Sequence, residues 1–392
     1  MNVYTFQSAQ KIIVGCNTVN RLSEYIANAN EVKSVYILTQ PFLQDSGYLD
    51  IIISQLQVIG ASCEYNMDVE QEPTADNVKH IYEHFSQGSY DMIIGMGGGS
   101  VLDTAKIISV LRTNDMSVED MLGMDKIGHS GIPTVLIPTT AGTGSEVTPN
   151  AIVTFPDKEL KIGIVSRYLL PELVILDPMV TLSLPKFITA STGMDAFTHA
   201  IESYISNKAN PISNMFALES IRLISANILR TYEQGDDLLA REAMLLGSMY
   251  GGMALSCAGT AAVHAMAYPI GGKFNVPHGV ANSMLLPHVM RFNMDAVTSK
   301  LAQVATAMNI HIRADETELD AAEKVVLNIE EWTAALEIPQ DLAIYGVKKA
   351  DVPELALAAS QVTRLMDNNP KRMEISDIET VYHRLLLSRI GV

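Results

Sequence analysis

At 392 residues the chain is longer than one hydrophobic core serves well, so two domains are expected. Hydrophobic residues make up 48% and charged residues 18%, which excludes a disordered polypeptide. Acidic residues outnumber basic ones 44 to 27, and the formal charge of -17 argues against nucleic acid or an anionic membrane as a partner. A phosphate-bearing ligand must then be held by local backbone geometry. Cys16, Cys63 and Cys257 are scattered and form no CxxC pair, so neither a disulfide framework nor a cysteine-rich zinc module is expected. The opening MNVYTFQSAQK lacks the basic-then-apolar pattern of a signal peptide, and a cytoplasmic location is expected.

The first half alternates short apolar runs with amphipathic stretches. The runs are VYIL from Val35, DMIIGM from Asp91, TVLIP from Thr134 and LVIL from Leu173. Buried strands separated by helices in this way signal a parallel α/β sheet. After Pro185 strand-like clusters thin out, and Ala, Leu, Met and Glu dominate, which predicts a largely helical second half. The boundary is placed between Asp177 and Thr192, giving domains 1–184 and 185–392.

DMIIGMGGGSVLDTAK, from Asp91 to Lys106, reads as strand, glycine turn and helix. Gly95, Gly97, Gly98 and Gly99 allow a tight turn and close approach of backbone N–H groups to a ligand. Ser100 and Asp103 have S-x-x-D capping-box spacing, which would start the helix there; Asp103 is either a structural cap or a ligand contact. A helix N-terminus offers free N–H donors and partial positive charge to a pyrophosphate. Neither the GxGxxG fingerprint nor a Walker A lysine is present, so a plain strand-to-helix connection is the competing reading. IPTTAGTGSEVT, from Ile137 to Thr148, forms a second polar loop after a strand, at the sheet edge where open α/β folds bind ligands.

In the second half, Asp195 and His199 are four apart in a helical stretch, so they share one face. They either hydrogen-bond within the helix or share a metal. His264 and His278 flank PIGG, which is expected to break the helix and bring two imidazoles to a common point. One Asp and three His would suit Fe(II) or Zn(II), with coordination positions left for substrate. The run from Ala243 to Gly272 has no Asp, Glu, Lys or Arg, and Gly247-x-x-x-Gly251 matches a membrane dimer motif. Its Gly, Ala and Ser content, its histidine and the absence of a second span favour a buried helix beneath the metal site.

GMGGGSVLDTAK, PTTAGTGSEVT, GMDAFTHAIESYIS and VPHGVANSMLLPHVMRFN together resemble the iron-containing (group III) alcohol dehydrogenases, over nearly the whole chain. The resemblance implies an α/β N-terminal dinucleotide-binding domain plus an all-α C-terminal domain, with the active-site cleft between them. It also implies NAD or NADP and one divalent metal, Fe(II) or Zn(II). Matched position by position, it assigns Asp195, His199, His264 and His278 to the metal. It assigns Gly97, Gly98, Ser100, Asp103, Thr139, Thr140, Thr143 and Lys161 to the cofactor.

The sequence departs from the family at two positions. Tyr268 stands where the family has a second histidine four residues after the third metal ligand. It is the candidate catalytic-site residue, expected to face the cleft and shape the pocket or orient a water, with simple aromatic packing as the alternative. Gln40 stands where NAD-preferring members often carry an acid for the ribose, leaving NAD and NADP both admissible.

The expected activity is metal-assisted hydride transfer between nicotinamide and a small alcohol or aldehyde, by a homodimer or higher homo-oligomer. A lyase resembling dehydroquinate synthase would offer more Lys and Arg around a phosphorylated substrate. A non-catalytic nucleotide-binding protein would not need the four metal-ligand residues. The region from Leu301 onward, including His311, Trp332 and His383, reads as solvated helix faces and packing.

Overall fold

The computed structural model describes residues 3–26, 32–156 and 160–386. Six parallel strands form the main sheet: β1 (Lys11–Val14), β2 (Ser34–Leu38), β3 (Ser62–Asn66), β4 (Met92–Gly97), β6 (Thr134–Pro138) and β9 (Leu173–Leu176). Their order is β1-β9-β6-β4-β2-β3. A smaller sheet holds β5 (Gly123–Met124), β8 (Leu160–Val165) and β7 (Asn150–Phe155), the last two antiparallel. The four apolar runs of the sequence are β2, β4, β6 and β9.

Side-chain alternation along these strands feeds two apolar layers. Val35 and Ile37 join Leu22, Ile52 and Leu56 on one face. Tyr36 and Leu38 join Ile81, Phe85, Leu102 and Ala105 on the other. The covering helices are α1 (Leu22–Ile26), α2 (Pro41–Asp45), α3 (Tyr48–Val58), α4 (Ala75–Ser86) and α5 (Gly99–Leu111). After β2 the chain runs outward to β3 and returns to β4 on the opposite side. The crevice at the carboxyl ends of β2 and β4 is thus the topological switch point, where ligands of open α/β sheets bind.

From Lys186 onward the described elements are helical: α6 (Lys186–Ile205), α7 (Pro211–Glu233), α8 (Leu238–Ala258), α9 (Ala262–Phe274) and α10 (His278–Ala307) come first. They are followed by α11 (Glu318–Ala335), α12 (Val352–Ser360), α13 (Thr363–Met366) and α14 (Ile375–Arg384). These helices share one core, in which Trp332 packs edge-on against Phe197 with ring centroids 5.2 Å apart.

The uncharged run is divided between α8 and α9, which meet at 104°, and no single described helix is long and apolar enough to cross a membrane. Its glycine pair serves helix packing. A Cβ on Gly247 would come within 2.7 Å of Ile224, and one on Gly251 within 3.2 Å of Ser220.

Two local expectations are corrected. PIGG does not break the helix, because α9 runs through Pro269, Gly271 and Gly272 to Phe274. The turn follows, at Asn275 with φ +53° and at Pro277, the residue that precedes α10. Burial of α9 on its neighbours outweighs the one donor that proline removes. Gly271 instead allows close approach, since a Cβ there would lie 2.9 Å from Lys161 Nζ on β8.

Nor do Ser100 and Asp103 form a capping box. Gly98 is the N-cap of α5, with no side-chain cap, and its carbonyl accepts from the N–H groups of Val101 at 3.0 Å and Leu102 at 3.2 Å. The helix therefore begins before Ser100. Ser100 Oγ donates to the Gln71 carbonyl instead.

Candidate active site

The carboxyl edge of the main sheet is built mostly of backbone. Gly97 and Gly99 are required by packing: a Cβ on Gly97 would meet Val101 at 2.6 Å, and one on Gly99 would meet Thr143 at 2.6 Å. Gly98 differs, because its Cβ would find nothing nearer than Thr140 at 3.7 Å. A bare concavity therefore lies over the start of α5, where the first N–H groups have no helical carbonyl to donate to.

The hydroxyls of Thr39, after β2, and Thr139, after β6, are buried without a hydrogen-bond partner within the protein. Gln40 precedes α2 at the same edge. This edge fits a ligand rich in phosphate and hydroxyl groups.

Other sequence-assigned residues are committed to protein partners. Asp103 accepts from Ser145 Oγ and, at 2.9 Å, from the Ile152 N–H, and it pairs with the buried Lys106 at 3.0 Å. Lys106 Nζ donates to the Ser145 carbonyl at 2.9 Å and also to that of Asn150. Thr143 Oγ1 accepts from the Ser145 N–H at 3.2 Å. Lys161 is buried and pairs with Glu72 at 2.7 Å.

The loop after β6 also carries the sheet's geometry to the helices. Gly144, at φ +59°, lets the chain approach Gly252 of α8 so closely that a Cβ would sit 2.7 Å from its Cα. The Gly142 carbonyl accepts from His199 Nδ1 at 3.3 Å, so the proton is on Nδ1 and the Nε2 lone pair is available.

Across from this edge, Asp195 and His199 on α6, His264 on α9 and His278 on α10 bring one ligand atom each within 4.8 Å of one another. Asp195 Oδ1 lies 4.0, 3.8 and 3.7 Å from the Nε2 atoms of His199, His264 and His278. A tetrahedron with bonds of about 2.1 Å has edges of about 3.4 Å, so these spacings are a few tenths of an ångström wide of a closed cage.

His264 is oriented by Glu202, whose carboxylate accepts from His264 Nδ1 at 2.6 Å and from the Val263 N–H at 2.7 Å. The Asn282 amide nitrogen lies 2.7 Å from Asp195 Oδ1, 3.1 Å from His264 Nε2 and 3.2 Å from His278 Nε2. An amide has two N–H donors and cannot satisfy three acceptors at once. Lone pairs converging on one point in this way suit a cation.

The electrostatics agree with that fit. Burial pushes the Asp195 carboxyl up, but His199, His278, His264 and the Asn282 amide together hold it below the usual carboxylate range. Burial pushes His199 down and takes His278 down to about 3, against the pull of Asp195. Asp195 is therefore a carboxylate and His199 and His278 are neutral imidazoles, the protonation that metal ligation requires.

Tyr268 packs with Ala265 and Leu365, and its ring centroid lies 6.1 Å from that of His278. Burial raises the phenol's pKa, with Arg364 opposing.

Sequence reasoning missed Glu202 and Asn282, although Glu202 follows His199 by three and shares its helix face. It also missed Arg364 and Leu365 of α13, for which no local pattern gives a signal.

A bare sheet edge thus faces a carboxylate–imidazole cluster that could hold a metal ion, the layout of a metal-dependent, nucleotide-linked enzyme. A family model described as iron-containing alcohol dehydrogenase matches residues 9–178, and the C-terminal model of the Fe-containing alcohol dehydrogenase family matches residues 189–386. The chain is 36% identical to long-chain-alcohol dehydrogenase 1 of Geobacillus thermodenitrificans over 353 residues, 89% of each chain. It is 37% identical to the 1,3-propanediol dehydrogenase of Klebsiella pneumoniae over 338 residues, 86% of this chain and 87% of that one. A crystal structure of 1,3-propanediol oxidoreductase superposes with a TM-score of 0.94 at 34% identity, covering 98% of this chain and 100% of the other. The chain belongs to the iron-containing alcohol dehydrogenase family, as its four motifs implied, and is an alcohol dehydrogenase or aldehyde reductase. A metal and NAD(H) go with that family.

Proposed function

We propose that the enzyme interconverts a small alcohol and its aldehyde, with Fe(II) held by Asp195, His199, His264 and His278. The observation that carries this reading is the convergence of those four donors, from three helices, opposite the bare Gly98 turn. When bound, the ion supplies Lewis-acid polarisation of the substrate oxygen, and the nicotinamide accepts or returns the hydride. Zn(II) suits the same donors and is the alternative metal.

Each protein group then has a task. Gly97, Gly98 and the first turn of α5 hold the pyrophosphate, and the hydroxyls of Thr139, Thr140 and Thr143 line its flank. Lys161, Ser100 and Asp103 support this surface, the last two through their protein partners. Gln40 is neutral and accepts the ribose of NAD as well as the 2′-phosphate of NADP. Glu202 and the Gly142 carbonyl keep His264 and His199 in the tautomer that leaves Nε2 bare. Tyr268 shapes the pocket wall and does not exchange protons, since burial raises the pKa of its phenol. The proton leaves through solvent at the mouth of the cleft.

Domains 1–184 and 185–392 meet at the segment ahead of α6, consistent with the gap between the two family-model matches. Exposed Val3, Tyr4 and Phe6 suit a homodimer or higher homo-oligomer, and three unpaired cysteines suit the reducing cytoplasm.

Anaerobic loading with Fe(II) or Zn(II), followed at 340 nm with alcohols and aldehydes and either cofactor, tests the reading. Absence of turnover with both metals across that panel would overturn it.

A further inference from the structure

The outer wall of the cleft is made by residues that no motif marks. α13 lays Leu365 against Tyr268 and Ala265. Its neighbour Arg364 reaches over β8, where a Cβ on Gly163 would lie 3.5 Å from the guanidinium Nη2. Gly163 and Lys161 are two apart on β8 and share one face of the ribbon. That face meets α9 at Gly271. Arg364, Lys161, Tyr268 and His278 therefore lie near one another where ribbon and helices meet. Burial dominates the behaviour of both inner groups, yet the field of Arg364 reaches the Tyr268 phenol and that of Lys161 reaches His278.

The two cations are satisfied differently. Lys161 is buried and paired with Glu72. Arg364 is exposed and, among the described residues, has no ion-pair or hydrogen-bond partner. Arg21, Arg222, Arg230, Arg291, Arg313 and Arg372 each sit beside a carboxylate, whereas exposed Arg384, like Arg364, has none among the described residues. Among the described residues, Arg364 is thus left without a carboxylate beside the candidate metal centre.

We propose that Arg364 determines specificity by binding an anionic oxyacid group, a carboxylate or sulfonate, at the end of the substrate remote from the reacting carbon. This rests on the alcohol–aldehyde reading above. The forked N–H donors of a guanidinium match two oxygens of such a group. A charge of -17 repels an anion at long range, but salt confines that repulsion to about 8–10 Å. A local cation then decides what stays beside it. A neutral alcohol gains little from it.

The test compares wild type, Arg364→Gln and Arg364→Lys on 4-oxobutanoate against butanal and on sulfoacetaldehyde against propanal, with NADH and the loaded metal. Wild type should prefer the anionic member of at least one pair by about 10- to 100-fold in kcat/KM, the size of a charge-assisted hydrogen bond. The pair showing the preference tells carboxylate from sulfonate. Arg364→Gln should abolish the preference through KM, leaving kcat and the neutral aldehyde nearly unchanged, and Arg364→Lys should restore part of it. No preference in wild type, or a preference that survives Arg364→Gln, overturns the proposal. So does a rise confined to the KM for NADH, which would assign the guanidinium to the cofactor.

Calorimetry of the metal-loaded protein with 4-hydroxybutanoate and with 2-hydroxyethanesulfonate separates this proposal from the parent reading. If no alcohol or aldehyde turns over but either anion binds and Arg364→Gln abolishes its binding, the catalytic reading fails while the anion site stands. If neither anion's binding depends on Arg364, the anion site fails.

Discussion

The two halves of the active site are built from different material. At the sheet edge the contribution of Gly98 is an absent side chain, with free N–H groups and hydroxyls around it. At the candidate metal centre four side chains from three helices make up the site, and the Gly142 carbonyl and Glu202 orient the imidazoles of His199 and His264. A backbone site tolerates change wherever the main chain keeps its path and fails when volume is added. A side-chain site fails when a single donor is removed.

The largest effect that follows is at the cage. His264→Ala and His278→Ala should each lose most of the bound metal in elemental analysis. Each should also lose on the order of 10³-fold in kcat/KM, the several kcal/mol that Lewis-acid polarisation supplies. Full occupancy in both variants would show the donors to be misassigned.

At the sheet edge, Gly98→Val should weaken cofactor binding on the order of 100-fold, measured by fluorescence titration, with little change in Tm. Gly97→Ala should instead lower Tm, because its Cβ would meet Val101 at 2.6 Å. Equal effects at the two glycines would erase the distinction between a glycine kept for ligand and one kept for packing.

Orientation is a smaller effect than ligation. Glu202→Gln should reduce metal affinity by about 10- to 100-fold in a competitive chelator titration, since His264 Nδ1 keeps only a weaker acceptor. No change would mean that the helices alone hold the imidazole.

The smallest effect is expected at Tyr268, which stands where the family has a histidine. Tyr268→Phe should keep most of kcat, because the raised pKa of the buried phenol suits it poorly to proton exchange. A general acid or base contributes about 10²–10⁴-fold, so a loss of that size with metal and cofactor still bound would make the phenol catalytic.

Short-range patterns were the legible part of this molecule. β2, β4, β6 and β9 are the apolar runs read from the sequence, and the glycine turn lies between β4 and α5. The i, i+4 spacing puts Asp195 and His199 on one face of α6, and helix formers dominate after Pro185. These features depend on a residue and its near neighbours, which propensity and periodicity describe.

Tertiary packing decided the rest. It carried α9 through Pro269, because burial outweighed one missing donor, and moved the break to Asn275–Pro277. It started α5 at Gly99 and spent Ser100 and Asp103 on Gln71, Ser145 and Ile152. It seated Asn282 among the side chains of Asp195, His264 and His278 and brought Arg364, on a four-residue helix with no motif, over Gly163 of β8. Such contacts join groups far apart along the chain. No local propensity encodes them, and they exist only once the helices and the ribbon have buried their apolar faces against one another.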